Sequence, residues 1–164
     1  MTSESGRPVD VSVLVPAKDE AENLPIFLAQ CAEALASAPF SFEVVVVDDG
    51  SRDGTGEVLA ALAKQHGFLR VVHHRRQRGI ADALQSASDA AGADILVFYP
   101  ADLQYRPVDI PALVAPILDG RADLVTGTKQ GKYEKAFVSG VYNRLCRWLF
   151  GVRVEDLNSV KAWR

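Results

Sequence analysis

Five short runs rich in apolar and β-branched residues, at 9–15 (VDVSVLV), 43–47 (EVVVV), 69–73 (LRVVH), 94–99 (DILVFY) and 123–126 (DLVT), alternate with longer segments of helical spacing. No other feature constrains the fold as much. Strands that are apolar along nearly their whole length are buried on both faces, and strands joined by helical crossovers lie parallel. The pattern predicts an α/β architecture in the order βαβαβαβαβα, a mainly parallel sheet flanked by helices.

The helical segments are legible by period. Leu24, Phe27, Leu28, Cys31 and Leu35 fall at i, i+3, i+4, i+7 and i+11, one apolar stripe. Asn23 is placed to cap that helix, with Pro25 tolerated in its first turn. Residues 55–66, 80–91, 110–119 and 138–150 read as further helices, each entered through polar, Gly or Pro residues.

At 164 residues and 48% apolar content, the chain suits one soluble globular domain with a single core. A net charge of −3 gives no global attraction to nucleic acid, which is excluded as an expected partner. No uninterrupted apolar run approaches the ~18 residues of a membrane span, and the first ten residues, MTSESGRPVD, have no apolar signal-like stretch. Cys31 and Cys146 sit in apolar helical patterns without zinc-site or disulfide spacing, which fits a reducing compartment.

In a parallel sheet, ligands sit outside the carboxyl ends of the strands, so the residues there carry the chemistry. After the first strand comes Pro16-Ala17-Lys18-Asp19-Glu20, which has carboxylates suited to hydroxyl groups where a dinucleotide fold would have a Gly-rich turn. After the second comes Asp48-Asp49-Gly50-Ser51-Arg52-Asp53-Gly54-Thr55. Two adjacent acids at the end of a buried strand exceed what helix capping requires and are read as held for a ligand, with Asp53 or Ser51 left to cap the next helix. The third strand leads into His73-His74-Arg75-Arg76-Gln77-Arg78-Gly79, cations ahead of a helix N-terminus, where phosphate is attracted. The two histidines alternate in facing and do not form a metal pair.

After the fourth strand, Asp102 and Gln104 would share a face if the chain stayed extended, and together would offer oxygen donors to a hard cation such as magnesium or manganese. The fifth strand is followed by Lys129 and Lys132. From Lys129 to Arg164 there are eight cationic and three acidic side chains. This basic stretch includes Arg144 and Arg147 beside Trp148-Leu149-Phe150, a candidate interfacial segment for an anionic membrane.

Four of these segments, in this order, resemble the signatures of family-2 glycosyltransferases: 15–23 (VPAKDEAEN), 47–55 (VDDGSRDGT), 78–84 (RGIADAL) and 101–104 (ADLQ). Within that family, Asp102-Leu103-Gln104 and Asp156-Leu157-Asn158-Ser159 are similar to dolichol-phosphate (polyprenyl-phosphate) mannose synthases. The resemblance implies a GT-A fold, Rossmann-like in its layering, with 1–164 a single catalytic domain whose acceptor-side elements continue beyond Arg164. It implies inverting transfer of a sugar, mannose or glucose, from a GDP- or UDP-sugar to a polyprenyl or dolichyl phosphate. The protein would be cytoplasmic, peripheral on the cytosolic face of the membrane.

By position, Pro16, Ala17 and Glu20 would contact the nucleoside, Asp48 and Asp49 the base and ribose, and Arg78 the nucleotide. Asp102 and Gln104 would hold Mg2+ or Mn2+ against the diphosphate. Asp102 and Lys129 would be the catalytic residues, Lys129 standing where the family often has an Arg directed at phosphate. The chain departs from the family at Pro100-Ala101-Asp102, where Asp-Ala-Asp is common, and after Ser159, where Gly is often found. Two other readings compete: a nucleotide-sugar-binding homologue without turnover, and a receiver-like phosphoacceptor domain using Asp48, Asp49, Asp102 and Lys129.

Overall fold

A computed structural model describes residues 9–127 and 159–164. Its centre is β1 (Val11–Ala17), paired in parallel with β2 (Phe42–Asp48) on one side and β4 (Ile95–Phe98) on the other. β3 (Leu69–His73) adds in parallel to the outer edge of β2. The helices that cross between them are α1 (Asn23–Leu35), α2 (Thr55–Gln65) and α3 (Ile80–Ala90). A 3-10 turn (Pro107–Asp109) leads into α4 (Ile110–Leu118) and then β5 (Leu124–Thr126).

The expected parallel sheet gains one strand that periodicity did not predict. β6 (Lys161–Trp163) inserts antiparallel between β4 and β5, giving the order β3-β2-β1-β4-β6-β5. Three residues carry too little pattern to register as a strand. What makes them one is the pair of open edges they fill, with Ala162 fully buried opposite Val97 and Val125.

β1 begins two residues later than the sequence pattern suggests and runs through Pro16 to Ala17. Pro16 is tolerated there because the pairing with β4 has ended at Leu14, so that β1 is flanked only by β2 at that level. Asn23 is the first residue of α1 and not its cap. No side-chain cap closes that helix, and the Asn23 amide donates to Glu20 Oε2 at 2.6 Å. The predicted helix at 138–150 lies outside the described residues.

Alternation along the strands divides the core. Val11, Val13 and Val15 of β1 and Val44 and Val46 of β2 face α1, α2 and α4 in the larger apolar cluster. Leu14, Val45 and Val47 face the other way, against Ala83 and Ala87 of α3. Two alanines one turn apart present little bulk, so α3 packs close to the sheet. Both clusters lie beneath the strand ends, which makes that edge a rigid platform for the loops that leave it.

Candidate functional site

The loops after β1, β2 and β3 meet in one cleft of about 620 Å³. Its lining includes Lys18, Asp19, Asp48, Arg52 and His73, and the segment from His74 to Gln77 forms one wall. Arg52, Arg75 and Arg76 are exposed, so the rim is cationic while the floor carries the carboxylate of Asp48.

The first two loops are joined by side chains that complete each other's turns. Asp19 adopts φ 55, and its backbone N–H donates to Ser51 Oγ at 2.9 Å while its Oδ1 accepts Arg52 N–H at 2.8 Å. Glu20 N–H donates to Thr55 Oγ1 at 3.0 Å. Asp53 Oδ1 accepts the Thr55 N–H and hydroxyl, and its Oδ2 accepts Ala21 N–H. The N-cap of α2 is Gly54 and no side chain caps the helix as the sequence suggested; Asp53, one residue earlier, instead holds its first residue and anchors the preceding loop. The Thr55 hydroxyl lowers the Asp53 pKa, and the Lys18 ammonium at 2.6 Å lowers that of Asp19.

The adjacent acids have different surroundings. Asp48 Oδ1 accepts Ser51 N–H at 3.0 Å and its Oδ2 faces His73 Nδ1 at 3.2 Å, in the cleft. Asp49 points to the other side. Its carboxylate accepts Arg78 N–H and Gly79 N–H, both at 2.8 Å, and faces His74 Nδ1 at 2.7 Å. Burial pushes the Asp49 pKa up, but the His74 hydrogen bond and the two backbone donors outweigh it, and the net shift is downward. Asp49 is therefore an internally satisfied carboxylate, where the sequence suggested one waiting for a ligand.

Gly50 sits at φ 69, and a Cβ there would lie 2.6 Å from Arg76 C and Gln77 N. That close backbone approach brings the third loop against the second. The histidines alternate in facing, so each ring meets a different acid of the neighbouring strand end, in keeping with the Asp48↔His73 register. Neither ring was assigned such a partner from the sequence. The usable signal was two polar rings directly after Val71-Val72, one strand away from two acids.

Of the other expected residues, Pro16 and Ala17 end β1, and the Ala17 carbonyl accepts Asp49 N–H. Glu20 is half-buried and holds Asn23. Arg78 is exposed, its side chain paired with Asp82 at 3.0 Å while its backbone serves Asp49. Asp102 and Gln104 are both exposed, but they are not in an extended segment as the spacing argument required. β4 ends at Phe98, Leu103 turns back at φ 60, and Asp102 Oδ1 accepts Gln104 N–H at 3.0 Å. Among the described residues, no three His, Cys, Asp or Glu side chains cluster as a metal site. Lys129, Arg144 and Arg147, with residues 156–158, lie outside the described residues.

A family model described as glycosyl transferase family 2 matches residues 12–157. A dodecaprenyl-phosphate galacturonate synthase from Rhizobium johnstonii is 28% identical over 169 residues, covering 99% of this chain and 50% of the relative. A dolichol-phosphate mannosyltransferase from Mycosarcoma maydis is 33% identical over 124 residues, 73% of this chain and 42% of that protein. Among solved structures, a mannosyltransferase from Pyrobaculum calidifontis in complex with GDP-Man and Mn2+ superimposes with a TM-score of 0.63 at 28% identity, covering 76% of this chain and 37% of that one. The chain spans half or less of the length of these relatives. Its sheet is that of the GT-A glycosyltransferases, which removes the receiver-like alternative. The chain belongs to glycosyl transferase family 2.

Proposed function

We propose that this chain carries the nucleotide-sugar half of an enzyme that transfers a sugar from a nucleoside diphosphate sugar to a polyprenyl phosphate. The observation that carries this reading is the cleft at the carboxyl edge of β1, β2 and β3, with Asp48 in its floor and arginines on its rim. Such a site offers an acceptor to a base or ribose and positive charge to a diphosphate. Similarity to relatives named for dodecaprenyl and dolichol phosphates supports the acceptor class.

The transfer is read as direct displacement with inversion: an oxygen of the lipid phosphate forms the new bond at the anomeric carbon as the bond to the nucleoside diphosphate breaks. A lipid phosphate is already ionised near neutral pH, so the attacking oxygen needs no general base. Pro16, Ala17 and Glu20 position the first loop and Asp48 takes the nucleoside; Lys129, by its place in the sequence, is the cation assigned to the leaving diphosphate. The turn at Leu103 leaves Asp102 and Gln104 without a shared face, so Asp102 is the one carboxylate this segment offers a hard divalent cation, and diphosphate oxygens would have to complete the shell. Mg2+ or Mn2+ bound at Asp102 together with the diphosphate would supply charge stabilisation to the leaving group. The basic sequence around Arg144 and Arg147 suits peripheral contact with an anionic membrane, where a lipid phosphate acceptor would be met. Among the described residues, no helix is long and apolar enough to cross a bilayer.

The test is incubation of the chain with GDP-mannose or UDP-glucose, Mn2+ and undecaprenyl phosphate, with lipid-linked sugar read by mass spectrometry. Product is the expected outcome. Nucleotide binding without product would favour a binding homologue lacking turnover, and absence of both would overturn the reading.

A further inference from the structure

Behind the cleft wall, to which His74 itself contributes, the side chains of Asp49, His74 and Ser86 stand in line. The side chains of His74 and Asp49 are 5% and 6% exposed. His74 Nδ1 lies 2.7 Å from Asp49 Oδ1, and its Nε2 lies 2.9 Å from Ser86 Oγ on α3. The carboxylate accepts and cannot donate, so Nδ1 carries the proton, and Nε2 shares a hydrogen bond with the Ser86 hydroxyl. The same carboxylate accepts the N–H groups of Arg78 and Gly79, the last residues before α3.

A continuous chain of hydrogen bonds therefore runs from α3 through the imidazole to the end of β2 and back to the N-terminus of α3. Residues 75–77, a wall of the cleft, are strung between these anchors. The wall has little room to relax, because its backbone at Arg76 and Gln77 closes on Gly50 to a distance that excludes even a Cβ. Asp48 faces the cleft and Asp49 does not line it, so the two adjacent acids have separate tasks.

We propose that His74 is a positioning residue: with Asp49 and Ser86 its buried ring holds the 75–77 wall in the geometry that accepts a nucleoside diphosphate, and none of the three side chains touches that ligand. The ligand half of this statement rests on the proposed function; the holding of the wall does not. Three variants separate the links. His74→Ala removes both ring bonds, His74→Asn keeps a donor toward Asp49, and Ser86→Ala leaves the Asp49–His74 bond intact.

The measurements are amide hydrogen exchange without ligand, and calorimetric binding of UDP and of GDP, each with Mn2+. In His74→Ala, exchange at Arg78 and Gly79 should rise about tenfold or more while amides of α1 and β1 keep their protection, and nucleotide affinity should fall by about tenfold. His74→Asn should recover part of both losses, and Ser86→Ala should show the smallest. A merely structural histidine would instead lower protection throughout the sheet. Unchanged exchange at Arg78 and Gly79 in His74→Ala overturns the proposal, as does faster exchange with undiminished affinity. If His74→Ala does not fold, wild-type exchange and affinity in Ser86→Ala overturn it. Wild type that binds neither nucleotide refutes the nucleotide reading, and exchange then decides the holding role alone.

Discussion

Asp49 shows how a residue's task depends on what its oxygens already hold. It is 4% exposed and accepts from two backbone N–H groups and one imidazole. Asp49→Ala would strand those donors, and we expect a loss of about 2–3 kcal/mol in urea unfolding at pH 7. The folded pKa is lowered relative to the unfolded value of about 3.9. This carboxylate's contribution is thus fully present above the unfolded value and lost as pH falls through the folded one. The acid limb of stability against pH below about 4 should be shallower in the variant than in wild type. Gly50→Ala tests the neighbouring position. A left-handed φ of 69 costs an alanine about 1–3 kcal/mol, and the contact with Arg76 and Gln77 backbone has no flexible side chain to give way. A midpoint within error of wild type would show that the two loops move apart freely.

Elements are tied to one another by a few directed bonds above the apolar layers. Tyr99, fully buried just past β4, donates its hydroxyl to the Arg106 carbonyl at 2.6 Å and so fixes the 3-10 turn ahead of α4. Burial pushes the Tyr99 pKa well up, which keeps the phenol a donor through the whole working pH range. Tyr99→Phe keeps the ring contacts with Phe27 and Tyr105 but loses that bond. The expected cost is about 1 kcal/mol, a fall in melting temperature of about 2–4 °C. At the opposite end of the sheet Ser12, also fully buried, donates to Glu43 Oε1 at 2.6 Å, and the same oxygen accepts Gly92 N–H. That network secures the entry to β4, away from the cleft.

For the molecule as a whole, a ligand that binds only the folded chain must stabilise it. At 100 times its dissociation constant, UDP or GDP with Mn2+ should add about 2.7 kcal/mol, read as a rise in melting temperature. On the proposed function, a metal held by the single carboxylate of Asp102 would depend on the diphosphate to complete its shell. EDTA should therefore shrink the rise, and Asp102→Ala should shrink it to the same level. A rise indifferent to EDTA would place nucleotide recognition wholly in the cleft formed by the first three loops.

The alternation of β-branched runs with amphipathic stripes was enough to determine the layers, because burying both faces of a parallel sheet leaves its strands uniformly apolar. It also determined which loops carry polar chemistry, since only strand ends can afford two acids side by side. The partners of those acids were decided by tertiary structure. Asp48 and Asp49 are indistinguishable by composition, yet successive residues point to opposite faces, so one enters the cleft and the other meets His74 and the loop N–H groups. Likewise β6 exists because β4 and β5 leave open edges, and the turn at Leu103 undoes the shared face that an extended chain would have given Asp102 and Gln104. Local pattern reports which surface a residue prefers; a hydrogen bond across 25 or 30 residues of chain depends on where the sheet brings that surface.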